Sequence, residues 1–205
     1  MSDMNIFHIL AICGMLSPIL YTLMWIIGGI KQPDYSHIRD DISSLIAVDA
    51  PNKNLFDKFI ISSSILLFVF YLGLHWGVSN GEGSILGPIL FIVASFIGVL
   101  VAILFPLDAG GEIETTRGKM HLILVTVMGL LTLAGMVAMW LRLESVAEWS
   151  SFATFSLYTA LIALALFIIA AIGVNSNYRG ILERFAVSSY QIYYFVIALM
   201  VFLMN

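Results

Sequence analysis

Six apolar runs without a formal charge dominate this chain: residues 6–30, 59–78, 85–105, 120–141, 152–174 and 185–204, each 20 to 25 residues long. At 1.5 Å rise per residue, a run of that length crosses roughly 30 Å of hydrocarbon. No water is present there to satisfy backbone N–H and C=O groups, so each run has to be a helix that satisfies its own. The chain therefore reads as all-α, a polytopic membrane bundle of six transmembrane helices. Only 11% of its residues are charged and the mean hydropathy is +1.01, against about 25% charged in soluble domains. The loops leave no room for a separate aqueous unit, so residues 1–205 are expected to form a single integral membrane domain. The first run is too long for the core of a cleavable signal, and no basic region precedes it.

Pro18 and Pro88 fall within the first and third runs and are expected to kink their helices. Gly129, Ala134, Gly135 and Ala138 in the fourth, with Ala160, Ala163, Ala170, Ala171 and Gly173 in the fifth, provide surfaces for close helix approach. Trp25 lies near one interface and Trp76, Trp140 and Trp149 near the other, where aromatic belts form. Tyr190, Tyr193 and Tyr194 read the same way. The single cysteine, Cys13, excludes an internal disulfide.

The loops after the first, third and fifth runs are the longer, more polar ones. They place Lys31, Arg39, Lys53, Lys58, Arg117, Lys119, Arg179 and Arg184 on one face, against Arg142 alone on the other. This bias orients the odd loops to the cytoplasm and both termini outside, in a cytoplasmic membrane. The same loops also carry nine of the thirteen acids, so part of the basic charge belongs to a site.

Three segments gather chemistry on that face. In the first loop, Tyr35, Ile38, Ile42, Leu45 and Ile46 recur at helical spacing, which predicts a short amphipathic helix over residues 36–48. As a lid it would bring Arg39, Asp40 and Ser43 over a cavity between the helices. In the third loop Asp108 closes one span and His121 opens the next, so both return to one membrane level, with Arg117 and Lys119 available to neutralise the acid. In the fifth loop Tyr178, Ile181, Leu182 and Phe185 share a helical face beside Arg179, Glu183 and Arg184. An acid and bases at the apolar boundary should meet, so Asp108, His121 and at least one of Arg39, Arg117 and Arg184 are expected in one polar cluster.

Histidines divide between the faces, His37 and His121 on the odd-loop side and His8 and His75 on the other, which precludes a cluster of three. No HExxH, GxSxG, Walker or GxGxxG motif is present, and no metal or cofactor is expected. A net charge of −4 without a basic run argues against nucleic acid.

The segment Tyr35-Ser36-His37-Ile38-Arg39-Asp40-Asp41-Ile42-Ser43-Ser44-Leu45, together with Phe105-Pro106-Leu107-Asp108, His121 and Gly180-Ile181-Leu182-Glu183-Arg184, resembles domain-of-unknown-function family 998, small six-helix prokaryotic membrane proteins. That resemblance implies a six-helix fold with a polar cluster on one face and no established activity. Where the family often has glycine after the Ser-x-Leu portion of the first loop, this chain has Ile46 and Ala47.

Two functions fit these residues best. The first is binding of a membrane lipid or other amphiphile, its headgroup held by Arg39, Asp40, Ser43, Arg117, Lys119, Glu183 and Arg184. The second is an intramembrane enzyme acting on a lipid-like substrate, with His121 as general acid or base and Asp108 as its partner. An ion-coupled transporter ranks below both, because the spans carry no Asp, Glu, Lys or Arg at depth. Lipid and further copies of the chain are the partners left open.

Overall fold

A computed structural model describes residues 4–109 and 113–205, so Gly110, Gly111 and Glu112 of the third-loop motif lie outside the described residues. Six helices account for the six apolar runs: α1 (Ile6–Lys31), α2 (Lys53–Gly77), α3 (Leu86–Leu104), α4 (Thr116–Leu143), α5 (Ser150–Ile172) and α6 (Arg179–Met204). All six are long and apolar enough to cross a membrane. Helices α2 and α6 each begin six residues before the apolar run does, which carries the helix about 9 Å further out on the odd-loop side. The Lys53–Asp57 pair, four residues apart at 2.6 Å, supports the first of these extensions.

Successive helices pack as neighbours, and α6 returns to α1 to close a ring in chain order, with α2 also touching α6 across it. The ends of the chain meet at the even-loop end, where Asn5 Nδ2 donates to the Asn205 carbonyl at 3.2 Å and Asn205 Nδ2 donates to the Gly77 carbonyl at 2.9 Å. Asn5 also caps α1, accepting from His8 N–H at 3.1 Å.

Towards that end an aromatic plug fills the ring. Tyr71 stacks on Phe91 with centroids 5.1 Å apart, and Tyr193 lies 5.8 Å from Phe91 and 5.7 Å from Phe152. The Tyr193 hydroxyl donates to Ser156 Oγ at 2.9 Å, which donates in turn to the Met136 carbonyl at 2.9 Å. Tyr190, Tyr193 and Tyr194 are thus interior residues, correcting the belt assignment, and Trp149 is buried against Phe152. Tyr193 and Tyr194 find hydroxyl partners inside, Ser156 and Thr132, and so need no interface to satisfy them.

Buried Arg142 tethers the same end. Its guanidinium donates to the carbonyls of Glu82 (2.9 Å), His75 (3.0 Å) and Val78 (2.9 Å), which gives partners to carbonyls at the C-terminus of α2. Pro18 is internal to α1, whereas Pro88 is the third residue of α3. A first-turn amide has no intrahelical partner to lose, so the kink expected at Pro88 has no cause.

The predicted amphipathic helix over residues 36–48 is reduced to turns and one 3₁₀ turn, Ser43–Ile46. The Ser44 amide and Asp40 carbonyl that an α-helix would join have other partners: Asp41 Oδ1 accepts from Ser44 N–H at 2.8 Å, and Arg184 donates to the Asp40 carbonyl at 2.8 Å. The apolar positions still do their expected work from Ile42 onward, with Ile42, Leu45 and Ile46 buried, while Ile38 is 52% exposed.

Candidate functional site

The first loop is fastened to the start of α6 by backbone and side chain alike. Arg184, only 5% exposed, donates through Nη1 to the carbonyls of His37 (2.9 Å), Asp40 (2.8 Å) and Gly180 (2.8 Å), and through Nη2 to the Tyr35 hydroxyl. Its guanidinium also faces the Trp25 ring at 5.4 Å and the Tyr35 ring at 5.5 Å. Ile181 N–H reaches the Ile38 carbonyl at 3.1 Å. Gly180 makes this approach feasible, because a Cβ there would lie 2.3 Å from the Asp40 carbonyl oxygen. Glu183 Oε2 accepts the Ile42 amide at 2.5 Å.

The third loop is anchored differently. Asp108, 5% exposed, accepts from the amides of Glu114 (3.0 Å) and Thr115 (2.7 Å), the Thr115 hydroxyl (2.6 Å) and Arg117 Nη2 (3.1 Å). It is a carboxylate at the N-terminus of α4, where orphan amides and the helix dipole favour negative charge. The Thr115 hydroxyl and amide, then Arg117, hold its carboxyl down at about 2 despite burial. Thr115 caps the same helix, its hydroxyl accepting from Gly118 N–H at 3.3 Å.

His121 is buried one turn further on. Its Nδ1 meets the Phe105 carbonyl at 2.7 Å, which only accepts, so Nδ1 carries the proton; Nε2 then faces Ser43 Oγ at 3.3 Å as acceptor in the neutral ring.

Below Ser43 and Ile46 lies a cavity of about 220 Å³ to which all six helices contribute. Its walls are chiefly apolar, among them Leu67, Ala94, Val101 and Phe167, with Ser43, His121 and Glu183 at the loop end and Tyr71, Thr132 and Tyr194 deepest. From Glu183 to Tyr194 along α6 is about 16 Å of helix, and His121 to Thr132 along α4 is the same. Three lining groups have a buried polar atom without a partner: the hydroxyls of Tyr71 and Tyr190 and Oε1 of Gln191.

Of the residues singled out in the sequence, Ser43, His121 and Glu183 line this cavity, while Asp108, Arg39, Asp40, Arg117, Lys119 and Arg184 do not. The single cluster expected of Asp108, His121 and an arginine is resolved into separate networks: Asp108 with Arg117, His121 with Ser43, and Arg184 with the loop-one carbonyls. Arg39 is exposed and pairs with its neighbour Asp40 at 2.8 Å, a contact that keeps the Asp40 carboxyl below its usual range. Lys119 is exposed. Burial, then the charge of Arg184, disfavours protonation of His37, and burial raises the Tyr35 phenol despite Arg184 beside it. Among the described residues no three His, Cys, Asp or Glu side chains gather as metal ligands.

Tyr71, Tyr190 and Gln191 were not singled out as site residues, and their sequence signal is faint. A glutamine and tyrosines within apolar helices need partners, and which face of each helix turns inward depends on its neighbours. A family model described as protein of unknown function (DUF998) matches residues 15–200. No curated protein and no solved structure matches the chain.

Proposed function

The chain belongs to the DUF998 family, whose description assigns no activity, and from its own geometry we propose that it binds an amphiphile inside the helix ring. The observation that carries this reading is the cavity itself, apolar over most of its surface, with a histidine or carboxylate only at the end where Ser43, His121 and Glu183 meet among the described residues. A dry apolar cavity of about 150 Å³ already admits benzene, and a site of this kind, with few polar groups on apolar walls, is the usual form of a small-molecule pocket. Filling it should displace the guest. Gly129 lines the cavity, and a Cβ there meets nothing nearer than 3.5 Å, so Gly129→Leu and Ala94→Leu are expected to fold and to lose co-purified amphiphile in native mass spectrometry. Undiminished amphiphile in both variants overturns the proposal.

The orientation proposed from the basic residues survives their pairing. Arg39, Lys53, Arg117 and Arg179 are matched to acids, and Arg184 and Arg142 are buried. Lys31, Lys58 and Lys119 have no acidic partner within 4.0 Å among the described residues, and all three lie on the odd-loop face. That asymmetry favours odd loops in the cytoplasm.

A second reading, an enzyme acting on an ester-bearing amphiphile, has one observation in its favour, the Ser43–His121 contact in the cavity wall. Nε2 of His121 is in position to take the serine proton, and a looser nucleophile–base distance than in a substrate complex is common in empty sites. Asp108 has no part in it, its oxygens being committed to α4 and Arg117. A fluorophosphonate probe should then add to wild type and not to Ser43→Ala; absence of any adduct removes this reading.

A further inference from the structure

We infer that the cavity selects amphiphiles whose head is a protonated amine, with Glu183 as the counter-charge. The inference rests on the reading that the cavity holds an amphiphile, and it specifies the chemistry of the head.

Among the described residues Glu183 is the one acidic side chain that lines the cavity, and no lysine or arginine lines it. Its neighbours in sequence do not neutralise it by contact. Arg184 is turned to the carbonyls of the first loop, and Arg179 reaches Asp41 at 3.8 Å and the Arg39 carbonyl at 3.2 Å. No base lies within 4.0 Å of Glu183 among the described residues, and its one hydrogen bond there is the Ile42 amide on Oε2. A carboxylate facing an apolar cavity is costly unless it takes up a proton or meets a cation, and an ammonium supplies the cation.

Polar atoms without a partner also lie deeper, Gln191 being about 12 Å along α6 from Glu183 and so beyond the reach of a head held there. Gln191 Oε1 only accepts, and the hydroxyls of Tyr71 and Tyr190, both at least nine-tenths buried, can accept as well as donate. A fatty acid or phosphate head would set a second negative charge beside Glu183 with no cation to receive it. A primary ammonium brings positive charge and three N–H donors to Glu183, whose one partner among the described residues is the Ile42 amide. The tyrosines along α6 and α2 add aromatic faces, which favour cations over anions. The anionic headgroup expected from the basic residues thus has no base to meet in the cavity, because those side chains are engaged elsewhere.

The test compares tetradecylamine, tetradecanol and tetradecanoate as ligands of the full chain in nanodiscs of zwitterionic lipid, read by ligand-induced shifts in native mass spectrometry and thermal unfolding. Wild type should prefer the amine over the alcohol by about tenfold or more, the lower end expected for a hydrogen bond to a charged group, and bind the carboxylate least. Glu183→Gln retains an oxygen for the Ile42 amide, and in it the amine preference should fall to near unity while the alcohol still binds. Equal binding of all three by wild type overturns the amine inference and leaves the amphiphile reading standing, and that result needs no variant to fold. An amine preference that persists in Glu183→Gln also overturns it. Failure of all three ligands to bind sinks both readings.

Discussion

Replacing Arg184 by methionine is expected to release the first loop from the bundle and lower stability by about 3 kcal/mol or more. Three carbonyls and the Tyr35 hydroxyl converge on this one guanidinium. A hydrogen bond to a charged group contributes about 1.5–3 kcal/mol, and each buried carbonyl left unpaired costs about 1–3 kcal/mol, although such terms do not add. The methionine chain replaces most of the apolar stem, so the loss reports the guanidinium's hydrogen bonds together with its contacts on the Trp25 and Tyr35 rings. Arg184→Lys should fall between, because a lysine ammonium lacks the planar fork that reaches Nη1 and Nη2 acceptors together. Exposed Arg39→Ala should change stability by no more than about 0.5 kcal/mol. Thermal unfolding in detergent measures the ranking. A maleimide probe at Ile42→Cys, in a Cys13→Ser background, should react slowly with Arg184 present and quickly once it is methionine. Unaltered unfolding and labelling in Arg184→Met would show that the first loop is held by other contacts.

Asp108→Asn is the second large effect, and pH separates its cause from simple loss of packing. All four donors around Asp108 point at carboxylate oxygens, so an amide NH₂ in the same place sets donor against donor. Glu82→Gln and Glu144→Gln, both on exposed side chains of the opposite face, should leave unfolding unchanged. Because the Asp108 carboxyl is held at about 2 in the fold and has an ordinary value of 3.8, folding favours its ionised form. The stabilisation is complete above the ordinary value and is lost as pH falls through the folded one. The gap in unfolding temperature between wild type and Asp108→Asn should therefore be constant above about pH 5 and close towards pH 2. A gap that does not narrow on acidification would assign the effect to shape alone.

How far the sequence could be read follows from what each feature depends on. The six helices depend on length and hydropathy, which are local, so they were legible to within a few residues. The starts of α2 and α6 were obscured because a helix that projects beyond the hydrocarbon can carry Lys53, Asp57 or Arg179 without penalty. The first loop has helical spacing, yet Asp41 claims the Ser44 amide and Arg184 the Asp40 carbonyl, and the second of these partners lies more than 140 residues away. The shared membrane level of Asp108 and His121 was legible from their places at the ends of two spans. Their partners were not, because rotation of α4 decides that one faces Arg117 and the other Ser43. Tyr190 and Gln191 pose the same problem on α6. A cavity lined by six helices leaves no trace in any one of them.

Closure of the ring by its first and last helices has a consequence for biogenesis. Helix α6 supplies Glu183, Tyr190 and Gln191 and seals the gap between α5 and α1. Without α6, the ring formed by α1 to α5 is open between α5 and α1, and the cavity loses one of its walls. Arg184, on the same helix, also supplies the fastening for the first loop. If the ring encloses a guest, as proposed, that guest has to enter before α6 closes the gap, and the bilayer around the unfinished chain is its source.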